Sequence, residues 1–191
     1  MDLKKLKEPL EIKDIDFRIQ SINAWGKATI LAYKDARVDM NRLDDVVGAE
    51  YWKREHFDGN TRCRVSIWND KINEWVCKED VGTASMTEKE KGLASDSFKR
   101  ACFNLGIGRE LYDYPVIKIQ LNKAIDDTNP KNSEYYVENN KGKPGFYLKL
   151  KEWVWHSQFT DGKLTFLMCR DYNQKVRFNW GTYVKPVDDK K

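Results

Sequence analysis

Histidine is scarce in this chain: only His56 and His156 occur, one hundred residues apart. The four cysteines, Cys63, Cys77, Cys102 and Cys169, show no CxxC spacing. A closed zinc site needs clustered thiolates or imidazoles, and a disulfide framework needs paired spacing, so neither is expected. The thiols read instead as small core or strand residues. No nucleophile elbow surrounds either histidine, and no GxxxxGK[ST] phosphate loop is present. Adjacent acids such as Asp44-Asp45 or Glu79-Asp80 do not aim at one ion, which argues against a metal nuclease. The expectation is therefore a protein with no cofactor, no catalytic residues and no bound metal, and not an enzyme. No apolar run approaches 18 residues, so no membrane helix is expected. The opening "MDLKKLKEPLEI" carries lysines without a following apolar segment or cleavage site, which predicts a cytoplasmic protein with no membrane partner.

Charge is abundant but nearly balanced. The chain has 191 residues with 34 Lys and Arg against 30 Asp and Glu, a net charge of +4. Residues 141–191 hold 11 basic against 5 acidic residues, and residues 1–140 hold 23 against 25. An anion-binding surface in the first part must then come from arrangement rather than bulk charge.

The pattern along the chain predicts an α+β fold. Residues 12–24 fit a short helix or a strand, and for Lys27–Tyr33 a strand is equally open. Asp35 to Val47 has Val38, Met40, Leu43, Val46 and Val47 at helical spacing, with Asp35 as cap and Gly48 as stop. "EYWKREHF", "TRCRVSIWN" and "EWVCKEDVG" follow one another on short turns, which predicts a three-stranded antiparallel meander. In the middle strand Cys63, Val65 and Ile67 face one way, and Arg62, Arg64, Ser66 and Trp68 the other. "TASMTEKEKG" reads as a loop, with Thr87 or Ser95 available as helix cap. "PVIKIQL" is a short strand, 126–144 a polar excursion, and the remainder a basic, aromatic β-type segment. Three regions result: a core over 1–121, a polar linker or excursion over 122–144, and a basic β-rich segment over 145–191.

The stretch "LASDSFKRACFNLGIG" carries most information. On a helical wheel Ala94, Phe98, Ala101, Cys102 and Leu105 share one arc, which packs on the meander. Lys99 and Arg100 fall outside it, with Asp96 one turn before Arg100 as a partner. Gly106 and Gly108 stop the helix. Solvated surface charge accounts for such a pair, and so does a phosphate contact that neutralises backbone charge without reading bases. Arg62 and Arg64, with Trp68 beside them, form a second backbone-tracking candidate.

In order and detail, "ARVDMNRLDDVVGAEYWKREHF", "TRCRVSIW", "EWVCKEDVG" and "EKEKGLASDSFKRACFNLGIGRELYDYP" resemble the Sak-type single-strand annealing proteins of phages, relatives of the eukaryotic Rad-fifty-two annealing protein. The resemblance covers roughly residues 10–115. It implies a β-β-β-α core, a homo-oligomeric ring, and single-stranded DNA held by its backbone in a basic groove for ATP-independent annealing in homologous recombination, inside an infected bacterial host. Lys99 and Arg100 match the Lys-Arg of the family's DNA-lining helix. Arg37 and Arg42 fall in the segment that frames the groove, and Lys89, Lys91 and Arg109 complete the basic candidates. A host or phage single-strand-binding protein is a further expected partner. The alternative is a protein that coats or delivers single strands without accelerating their pairing.

Overall fold

The computed structural model describes residues 2–83, 89–123, 134–137, 144–146, 148 and 150–185. A short 3-10 turn at Ile12–Asp14 precedes β1 (Asp16–Ile22) and β2 (Lys27–Tyr33). Then come α1 (Ala36–Val47), β3 (Trp52–Phe57), β4 (Arg62–Asn69), β5 (Glu74–Val81) and α2 (Lys89–Leu105). Strand β6 (Ile117–Gln120) follows, with β7 (Tyr135–Val137) and β8 (Pro144–Phe146) paired to each other. The described chain ends in β9 (Val154–Thr160), β10 (Lys163–Arg170) and β11 (Val176–Gly181). The fold is α+β, with a three-stranded meander, a helix packed alongside it, and a separate β-rich sheet formed by the last strands.

Two compact units are present. One comprises residues 1–15 and 34–112, the other 16–33 and 113–191. In the first unit β3, β4 and β5 form the antiparallel meander and α2 lies on β4 and β5. Cys63, Val65 and Ile67 are buried on the helix-facing side, opposite Phe98, Ala101 and Cys102 of α2. Ala94 and Leu105 are only half-buried, while Ser97 is fully buried because its Oγ donates to the carbonyls of Asn60 and Ala94. Asp35 caps α1, accepting from the Arg37 amide at 2.9 Å, and Gly48 ends it at φ +95°. Ser95 is not the cap of α2. It lies inside the helix with its hydroxyl on the Gly92 carbonyl, and Thr87 falls outside the described residues.

In the second unit β1, β2 and β6 make an antiparallel sheet, and β9, β10 and β11 make another. Phe17 stacks on Trp155 with ring centroids 3.6 Å apart. Three of the four cysteines, Cys63, Cys102 and Cys169, are buried in strands or helix, and Cys77 is exposed.

The glycine of "EDVG" has a specific task. A Cβ on Gly82 would lie 2.5 Å from the Ser97 amide nitrogen and 2.9 Å from the Leu93 carbonyl oxygen. Both are helix backbone, so α2 approaches the end of β5 only because no side chain intervenes. Gly82→Ala should lower stability by about 1–3 kcal/mol through overpacking, read as a shift of the urea midpoint.

Candidate nucleic-acid interface

Neighbouring acids on β5 point to opposite faces, as strand geometry requires. Glu79 faces the side away from α2, where its carboxylate receives both Arg62 and Arg64. Asp80 faces the helix, where it meets Arg100 at 3.6 Å and accepts from the Asn104 side-chain amide at 3.2 Å. Arg100 therefore pairs with Asp80 and not with Asp96, one turn earlier on its own helix. Asp96 is committed elsewhere, accepting from the amide and hydroxyl of Thr83. The contact to Asp80 is loose: Arg100 Nε makes no hydrogen bond among the described residues, and the side chain keeps 41% of its surface.

Lys99, one residue earlier, turns toward α1. It is half-buried and makes no ion pair among the described residues. Its charge is felt at Asp35. That carboxyl is held below the usual range, first by the hydrogen bonds from the side chain and amide of Arg37 and further by Lys99. Arg37 and Lys99, 62 positions apart in sequence, thus flank one carboxylate at the start of α1. Lys99 and Arg100 thus leave α2 toward different neighbours, the start of α1 and strand β5.

Other basic candidates are tied differently. Arg42 donates to the carbonyls of Lys5 and Glu8 and fastens the N-terminal segment to α1. Arg109 donates to the carbonyls of Phe103 and Asn104, satisfying the end of α2. Lys89 and Lys91 belong to the first turn of α2, and their side chains lie outside the described residues.

Arg62 and Arg64 do share the sheet face away from α2, each 5.1 Å from the Phe57 ring centroid. The strand register adds residues that sequence reading missed. Lys53 lies 4.9 Å from the Trp75 ring, and Trp75 meets Trp68 edge-on at 5.4 Å. Lys53, Phe57 and Trp75 were legible only as alternating members of β3 and β5, because their company depends on cross-strand pairing. On this face the cations are largely matched: Arg62 also pairs with Asp58, and Lys53 with Glu55.

The Cys–His arrangement at His56 disfavours a thiolate. Cys63 Sγ lies 4.0 Å from His56 Nε2, and burial pushes the thiol up to about 11. Burial and then Arg54 hold the imidazole below its usual value, so neither partner's charged form is favoured. Among the described residues no group of three or more His, Cys, Asp or Glu side chains is arranged to hold a metal ion. None of the described helices is long and apolar enough to cross a membrane.

A helix bearing a Lys-Arg pair, laid on an antiparallel meander through an "EDVG" turn, defines an α+β core with a cationic helix rim. Residues 3–130 match the Rad52/22 family of double-strand break repair proteins, and the chain belongs to that family. It is also similar to the single-stranded DNA-binding protein DdrA of Deinococcus radiodurans, 31% identical over 120 residues. That match covers 59% of this chain and 55% of the relative, so the chain spans about half the length of the curated relative it matches. No solved structure matches.

Proposed function

We propose that this protein binds single-stranded DNA through Lys99, Arg100 and Arg37 and anneals complementary strands without ATP or metal. Family membership supports the reading, as does a relative named for single-stranded DNA binding. The observation that carries it is the state of the two helix cations. Lys99 makes no close ion pair among the described residues, only a longer-range pull on Asp35 and Asp39, and Arg100 has only a loose partner. A phosphate can engage both without first displacing a strong internal partner. Such contacts neutralise the backbone and leave base edges free to pair. No bond is made or broken, so the work is one of binding and effective concentration. Assembly of many copies into a ring would supply that concentration by displaying complementary segments side by side.

The test is annealing of two complementary fluorescent oligonucleotides, with oligomer mass measured alongside. The intact protein should accelerate pairing without nucleotide or divalent ion. The Lys99→Ala, Arg100→Ala variant should keep its mass and lose the acceleration. Binding without acceleration by the intact protein would instead support strand coating or delivery, and shortening of the DNA with a divalent ion would sink the non-enzymatic reading.

A further inference from the structure

The second compact unit has a cationic face of its own. The sheet of β1, β2 and β6 buries one side, where Phe17, Ala28, Ile30, Ile117 and Ile119 lie. Its other side carries Arg18, Lys27 and Lys118, all exposed. Register sets their spacing. Lys27 stands opposite Gln120, and Lys118 stands opposite Thr29, so the two lysines are diagonal neighbours about 7–8 Å apart. Arg18 stands opposite Leu31 on the far side of β2, roughly 10 Å across the sheet from Lys118. None of the three makes an ion pair among the described residues, and Arg18 instead lies 5.3 Å from the Tyr33 ring centroid. Asp16, opposite Tyr33, is the one acid that β1, β2 and β6 place on this side. The face differs in this from the meander, whose cations already have carboxylate partners.

In the turn between β1 and β2, two residues before Lys27, stands Trp25, with 79% of its surface exposed. Its backbone is tightly held. Asn23 Oδ1 accepts from the amides of Trp25 and Lys27 at 3.1 and 2.9 Å, and Gln120 Nε2 donates to the Trp25 carbonyl at 2.6 Å. Leu121 donates to the Gly26 carbonyl at 2.9 Å, and the Tyr135 ring packs over Gly26. A turn held by Asn23, Gln120, Leu121 and Tyr135 therefore presents an indole that contributes nothing to the core. Burying it there would have been the favourable outcome for folding alone.

We propose that this face is a separate binding surface for single-stranded nucleic acid, with phosphates on Lys27, Lys118 and Arg18 and an unpaired base stacked on Trp25. Unpaired cations spaced along a surface, ending in a rigid exposed aromatic ring, are what sequence-neutral single-strand binding requires. The proposal takes its ligand class from the single-stranded DNA reading above, but shares no residue with the α2 rim.

The experiment is binding of an oligothymidylate to the full chain across a salt series, for the intact protein and an Arg18→Ala, Lys27→Ala, Lys118→Ala variant. Removing three phosphate contacts should reduce the slope of log K against log salt by about 2. Trp25→Ala should weaken binding roughly 5- to 150-fold. An oligonucleotide carrying 5-iodouracil should crosslink to the peptide containing Trp25. A Lys27→Arg, Lys118→Arg variant should keep the wild-type slope, which guards against an effect of misfolding. A wild-type slope in the triple alanine variant, together with no crosslink at Trp25, would overturn the proposal. The same series on the Lys99→Ala, Arg100→Ala variant separates the two readings: if that variant binds normally while the triple variant does not, the α2 assignment fails and this one stands. No binding by the intact chain overturns both.

Discussion

Lys34→Met should cost about 3–5 kcal/mol of unfolding free energy at pH 8 and much less at pH 5. Lys34 is 1% exposed and Asp39 0%, and they form a buried ion pair. The Lys34 ammonium also donates to the Ile107 carbonyl at 2.7 Å and sits 4.1 Å from the Phe103 ring centroid. It therefore connects the first turns of α1 to the turn that ends α2. Asp39 Oδ2 has no hydrogen-bond partner among the described residues. Burial pushes the Asp39 carboxyl up to about 6, against the pull of Lys34, Lys99 and Cys102. The fold favours the neutral acid, so the stability that Asp39 contributes is complete below its ordinary value of 3.8 and is lost as pH rises through about 6. Removing Lys34 takes away the largest opposing pull, so the loss must extend to higher pH and grow. Methionine keeps the aliphatic volume, which isolates the charge from the packing. Urea unfolding at both pH values measures the effect. A second replacement, Asp39→Leu, should recover most of the loss at pH 8, since two apolar groups leave no buried charge behind. An equal cost at both pH values would show that packing, not the unpaired carboxylate, carries the effect.

Arg177→Ala should be comparably severe, about 3–5 kcal/mol, because it strands two buried carboxylates. Arg177 meets Glu134 through both terminal nitrogens, at 2.6 and 2.8 Å, and Asp171 at 3.1 Å. It also donates to the Gln120 carbonyl and lies 4.7 Å from the Trp153 ring centroid. Glu134 in turn accepts from the Asn122 amide. One guanidinium thus ties β11 to the end of β6 and to the residue before β7. Burial raises the Asp171 carboxyl, but Arg177 and the amides of Lys175 and Asn173 together hold it below its usual value. Its contribution is therefore present above the ordinary carboxylate range and lost as pH falls through the lowered value. Arg177→Lys should fail to restore stability, since an ammonium lacks the planar fork that two carboxylates and a carbonyl share here. Thermal unfolding of the three proteins at neutral pH decides it. Full rescue by lysine would mean that charge alone is required.

What the sequence determined by itself was local. Apolar residues at helical spacing marked α1 and α2, alternation marked β4, short turns set off β3 and β5 beside it, and Asp35, Gly48, Gly106 and Gly108 marked helix ends, because these signals act within a few residues. The order of the motifs sufficed to identify the family resemblance. Tertiary structure decided the partners. Arg100 takes Asp80 because α2 lies along β5, a placement that spacing within the helix cannot reveal. Lys34, an ordinary lysine in sequence, is buried because α1 and the end of α2 close around it. Pairing of β2 with β6, about ninety residues later, groups residues 16–33 with 113–191 and assembles the face of Arg18, Lys27 and Lys118. Glu134 and Tyr135, in a stretch read as a polar excursion, are buried, because Arg177 and Gly26 supply their partners from distant segments. Charge and turn preference are written residue by residue, whereas burial of a charge depends on which distant group arrives to neutralise it.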